Sequence, residues 1–197
     1  MPAISLIYGL GNPGDRYRNT RHNLGWMSAD FIVRKNGLSW EGESRDLLTA
    51  RWIVDGREII LLRSLMYMNE SGEALAVLNE SDGERIESRR LLVICDDMSL
   101  PLGRMRIREK GGSGGHRGLE SIIYSLESEN FPRLRMGIGS PPQGITWTEY
   151  VLSPFLEEEI PVVEAMVKRS VEAVECIVTE GVATAMQRFN APPKETD

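Results

Sequence analysis

The chain has 197 residues, 41% hydrophobic and 26% charged, the composition of a globular protein long enough to bury a core without disulfides. Its net charge of -6 excludes a surface uniformly dressed for nucleic acid, so any such binding must come from local clusters. Cys95 and Cys176 are too few and too far apart for a disulfide framework or a zinc site, which points to a reducing cytoplasm and no metal.

The N-terminus lacks the basic flank and apolar core of a secretory signal, and no apolar run reaches the roughly 20 residues of a membrane-spanning helix. In chain order, Ile4 to Leu10 reads as a strand and runs into Gly9-Leu10-Gly11-Asn12-Pro13-Gly14, a GxGxxG match that by itself is weak evidence for a dinucleotide site. A helix follows from about Asn23 to Lys35, with Leu24, Met27 and Phe31 at helical spacing and Asn36-Gly37 as its stop. Leu47 to Val54 and Glu58 to Leu62 flank Asp55-Gly56, a two-residue hairpin signal, so the sheet should be mixed. A helix start at Asn69 precedes Ala74, Leu75 and Leu78. Leu91 to Cys95 is the unbroken apolar run of a central strand, and it ends in Asp96-Asp97, where α/β folds present residues to a ligand.

Arg104 to Arg108 alternates as a strand with one arginine face, followed by the glycine-rich stretch Lys110 to Gly118 and a helix from Leu119 to Leu126. Arg133 to Ile138 alternates again. Ile160, Val163, Val167, Val171, Val174 and Val178 form one stripe of a long helix that Gly181 closes, a short helix runs from Ala183 to Phe189, and the tail from Pro192 should be disordered. The fold class is therefore α/β, one domain with a mixed sheet between helices.

Several residues could do chemistry. His22, one of two histidines, becomes a general base if a carboxylate such as Asp96 holds its second nitrogen; it could equally be an idle helix-start residue. Asn12 and Asn69 could hold a water or an oxyanion, or simply turn the chain and cap a helix. Arg104, Arg106, Arg108, Lys110, Arg117, Arg133 and Arg135 gather positive charge that either binds phosphates or protects an edge strand, and Tyr17 and Tyr67 could stack on a base. Cys95 could serve as a nucleophile, although its strand reads as buried.

Five stretches in order resemble the bacterial-type peptidyl-tRNA hydrolases: Gly9 to Gly14 with Tyr17 and Thr20 to Asn23; Tyr67 to Gly72; Asp96-Asp97 with Leu100-Pro101 and Gly103; Gly114 to Leu119; and Phe131 to Gly139. The resemblance implies a monomeric three-layer α/β/α domain over residues 1–191 that hydrolyses the ester between a peptide and the 3′ end of tRNA, without cofactor or metal. It makes His22, Asp96, Asn12 and Asn69 catalytic. Tyr17, Tyr67, Met68, Asn69, Gly114, His116, Arg117, Arg108 and Arg135 would contact substrate, chiefly its acceptor stem and 3′ end. Arg117 departs from the family's usual asparagine, and Ser99 from a common aspartate. A non-catalytic RNA-binding relative and an NAD-dependent oxidoreductase are the competing readings.

Overall fold

A computed structural model describes residues 3–42, 45–82 and 86–191; the tail expected to be disordered lies outside the described residues. Its strands are β1 (Leu6–Gly9), β2 (Glu41–Gly42), β3 (Leu47–Val54), β4 (Arg57–Ser64), β5 (Leu91–Asp97), β6 (Met105–Arg108) and β7 (Arg133–Gly137). The helices are α1 (Leu24–Lys35), α2 (Ser71–Asp82), α3 (Arg117–Leu126), α4 (Trp147–Val151), α5 (Ile160–Glu180) and α6 (Val182–Phe189). One sheet runs in the order β2-β3-β4-β1-β5-β7-β6. It is mixed: β4, β1, β5 and β7 are parallel, while β3 and β6 run against their neighbours. The expected hairpin forms, with Asp55 and Gly56 at φ 51° and 73°, the paired positive values that match the twist of a tight two-residue turn.

Strand alternation divides the apolar residues between two layers. Ile7, Leu92, Ile94, Leu134 and Met136 face α1, α5 and α6, whereas Leu6, Tyr8, Leu91, Val93 and Cys95 face α2 and α3. The long α5 stripe buries Val163, Val167, Val171, Val174 and Val178, each worth roughly 1.5–3 kcal/mol. Ile160 does not join it: at the first turn of α5 it stays 41% exposed. Helix α4 was not expected from the sequence, yet Thr146 and Glu149 carry its start signal, each accepting the other's backbone N–H.

The outer edge of β6 is closed by one side chain. Asn190, just past α6, accepts the Ile107 N–H at 2.6 Å and donates to the Ile107 carbonyl at 3.1 Å.

Candidate active site

The glycines of the first loop serve packing. A Cβ on Gly9 would lie 2.4 Å from the Gly25 carbonyl, and one on Gly11 would lie 2.5 Å from the Trp26 ring, so α1 sits directly on β1. At the start of that helix the Trp26 N–H already donates to the Leu10 carbonyl at 3.1 Å. A pyrophosphate would need open N–H groups and a close backbone approach there. The oxidoreductase reading falls on this geometry.

Between Gly14 and α1 the chain makes 3₁₀ turns at Asp15–Tyr17 and Arg21–Asn23. Three consecutive side chains of the second turn go to different anchors. Arg21 pairs with Glu159 at 2.7 Å and lies over the rings of Tyr150 and Phe155. Asn23, fully buried, accepts the Asn12 N–H at 2.9 Å and donates to the Asn12 carbonyl at 3.0 Å. His22, between them, reaches β5, where its Nδ1 is 2.7 Å from Asp96 Oδ1.

Successive residues of a strand point to opposite faces, and this separates the two aspartates. Asp96 turns to the histidines. Asp97 turns the other way, accepting from the Ser99 N–H and hydroxyl at 2.8 and 2.7 Å and pairing with Arg135 at 2.9 Å. Asp96 Oδ1 has a second histidine: His116 Nε2 stands 3.0 Å away, and the two imidazole centroids are 4.8 Å apart.

Both tautomers follow from the partners. His116 Nδ1 accepts the N–H groups of Gly118 and Leu119 at the start of α3, so its proton must be on Nε2, facing Asp96. Burial works to raise the Asp96 carboxyl, but the charge interactions and hydrogen bonds of the two histidines overcome it and hold the group below the usual carboxylate range. An ionised Asp96 can only accept, so His22 Nδ1 carries a proton and Nε2 keeps its lone pair. No hydrogen bond reaches His22 Nε2 among the described residues. Burial, against the opposing pull of Asp96, pushes His116 below the ordinary imidazole value and keeps it neutral.

His22, Asp96 and His116 bring ligand-type atoms within 4.8 Å of one another. They do not suit a metal: His116 offers an N–H toward Asp96, and a lone pair there would require either an imidazolate or loss of the bonds at the start of α3. Burial, reinforced by Asp96, pushes the Cys95 thiol far up, which leaves it an inert core residue.

Asn12 is buried, and its Oδ1 accepts the Met68 N–H at 2.8 Å. Its amide nitrogen therefore remains the group it can offer outward, with no partner among the described residues. Asn69, on the 3₁₀ turn Met68–Glu70, is exposed and its side chain makes no hydrogen bond among the described residues; the cap of this turn comes from Glu70, which accepts the Tyr67 N–H. Tyr67 is 49% exposed, and Tyr17 is half-buried under the Arg16 guanidinium. Two expected substrate contacts are instead used inside the protein. The Met68 side chain is packed in the core under α3, and both ring nitrogens of His116 are taken.

The arginines divide as well. Because Met105, Ile107, Leu134 and Met136 face α5, their alternating neighbours Arg106, Arg108, Arg133 and Arg135 share the opposite face of the sheet. Arg106, Arg108, Lys110 and, at the start of α3, Arg117 are exposed. Arg135 is mostly covered, paired with Asp97, its guanidinium under Gly114. Arg133 is not part of the exposed cluster: it is 1% exposed, stacked on Phe131 at 4.2 Å, and donates to the carbonyls of Gly111, Gly112, Glu129 and Phe131.

Sequence reasoning passed over Asn23 as a working residue. The available signal was its place beside His22 in a turn that must be held on both sides.

The sequence model of the family described as peptidyl-tRNA hydrolase matches residues 6–197. A peptidyl-tRNA hydrolase of Symbiobacterium thermophilum is 46% identical over 187 residues, 94% of this chain and 98% of that one. One of Methylacidiphilum infernorum is 42% identical over 191 residues, 97% of this chain and all of that one. The crystal structure of the Acinetobacter baumannii peptidyl-tRNA hydrolase superposes with a TM-score of 0.87 at 31% identity, covering 95% of each chain. With the family model matching residues 6–197, relatives above 40% identity over nearly their whole length and a superposition covering 95% of each chain, the chain belongs to the peptidyl-tRNA hydrolase family.

Proposed function

We infer that the chain hydrolyses the ester of peptidyl-tRNA with water activated by His22. The observation that carries this reading is the 2.7 Å contact between His22 Nδ1 and Asp96 Oδ1, which leaves Nε2 as an oriented lone pair. His22 Nε2 takes a proton from water as its oxygen attacks the ester carbonyl carbon. Asp96 stabilises the imidazolium, and Asn69 with neighbouring backbone amides holds the water or the charge on the tetrahedral oxygen. The carbon–oxygen bond to the terminal ribose then breaks, and the ribose oxygen recovers the proton from His22. The peptide acid loses its remaining proton to solvent, and the products are a peptide carboxylate and free tRNA.

Asn12 helps select a blocked peptide over a free aminoacyl group. With its oxygen engaged by the Met68 N–H, its amide N–H groups are donors that an N-acyl carbonyl can accept and a free ammonium cannot. Tyr17 and Tyr67 flank the terminal nucleotide, while Arg108, Arg117, Arg135 and the Gly114 loop take phosphates of the 3′ end and acceptor stem. In this reading residues 1–191 act as one monomeric unit in the cytoplasm. Among the described residues no helix is long and apolar enough to cross a membrane.

His22→Ala should lower kcat by about 100- to 10,000-fold, the usual contribution of a general base, with tRNA binding largely retained. Peptide release and tRNA binding measured side by side test this: normal turnover in the variant would overturn the assignment. Binding without turnover in the unaltered protein would instead make it a non-catalytic RNA-binding relative.

A further inference from the structure

We propose that His116 is a positioning residue for His22: by donating its Nε2–H to the same oxygen of Asp96, it weakens that carboxylate's hold on the His22 imidazolium and sets the pH at which His22 becomes a base. The inference rests on the reading of His22 as that base. Its foundation is the geometry of one oxygen, which stands 2.7 Å from His22 Nδ1 and 3.0 Å from His116 Nε2. A carboxylate oxygen that accepts two N–H donors has its negative charge shared between them. An aspartate serving His22 alone would stabilise the imidazolium more and keep the base protonated to higher pH.

His116 can do this only if it stays neutral and in one tautomer. The N–H groups of Gly118 and Leu119 occupy its Nδ1 at 3.1 and 3.3 Å, and the start of α3 disfavours a cation there. The surrounding ionisable groups leave Asp96 as the charge in direct contact with the ring. On β5, Asp97 is paired with Arg135 of β7, and Cys95 is held as a thiol. Beside His22, Arg21 is turned away to Glu159. On the Met68–Glu70 turn, Glu70 is occupied by the Tyr67 N–H, and Arg117 and Glu120 at the start of α3 are exposed.

Two substitutions separate the two jobs of the ring. His116→Asn keeps an acceptor for the start of α3 but is too short to reach Asp96; His116→Gln can present an N–H to Asp96 but not the acceptor at the same time. With only two histidines in the chain, nitrogen-detected NMR resolves both side chains directly. In the unaltered protein His116 should remain the Nε2–H tautomer while His22 titrates. In His116→Asn the His22 midpoint, and with it the acid limb of kcat/KM, should move up by about one pH unit. In His116→Gln both should stay near the unaltered values while thermal stability falls. An unmoved His22 midpoint in His116→Asn, or equal shifts in both variants, would overturn the proposal. The NMR arm does not depend on turnover, so failure of the general-base reading would show separately, as full activity in His22→Ala.

Discussion

The histidine cluster and the arginine edge of β6 are built on opposite principles. His22, Asp96, His116, Asn12 and Asn23 are buried, and hydrogen bonds to fixed neighbours set their orientations. Arg106, Arg108 and Lys110 are exposed on an edge strand and its following loop. Proton transfer needs a donor and acceptor placed to within tenths of an ångström, whereas phosphate attraction works through solvated, rearranging charge. The chain fixes the first and leaves the second loose.

The largest way to break this contrast is inside the cluster. Asp96→Asn keeps the shape but removes the charge shared by two imidazoles, and kcat should fall about ten-thousandfold, as when the carboxylate of a catalytic triad is neutralised. Single-turnover peptide release would read it; a loss below tenfold would mean that Asp96 does not support His22.

Next in size is a comparison of two arginines on one sheet face. Arg133→Met strips donors from four carbonyls and should cost about 3 kcal/mol in urea unfolding, whereas Arg108→Met should stay within about 0.5 kcal/mol. Equal costs would erase the distinction between the buried and solvated arginines.

A smaller effect concerns acid. Because folding lowers the His116 value from 6.5, the unfolded chain binds more protons just below that pH. Stability from this residue is complete above about 6.5 and is lost as pH falls toward the folded value. The Asp96 contribution persists further and is lost only below the carboxylate range near 3.8. Melting temperatures should decline from pH 6.5 to 5 in the unaltered protein and decline less in His116→Asn. The smallest effect lies on the edge, where each of Arg106→Gln and Arg108→Gln should reduce the slope of log Kd for tRNA against log salt by about 0.7–0.9 if it meets one phosphate.

Much of the layout was legible because it rests on local rules. Asp55-Gly56 demands its turn whatever surrounds it, and the apolar run ending in Asp96-Asp97 announces a central strand. Proximity was harder. Arg133 and Arg108 alternate identically in sequence, and only the glycine-rich loop folding over β7 makes one a buried staple and leaves the other in solvent. His116 stands twenty residues from Asp96, and nothing in its neighbours says that both nitrogens are spent. Ile160 continues a helical stripe by spacing, yet the core ends one turn later.

The Asn190 side chain on Ile107 bears on how the protein is made. Its two hydrogen bonds occupy the donor and acceptor that an edge strand offers to any passing chain. They join residues 83 positions apart. During synthesis, β6 must therefore wait until Asn190 has emerged before the Ile107 groups on its open side are sealed. A product cut short just before Asn190 would retain His22, Asp96 and His116 and still leave the Ile107 N–H and carbonyl open on the edge strand.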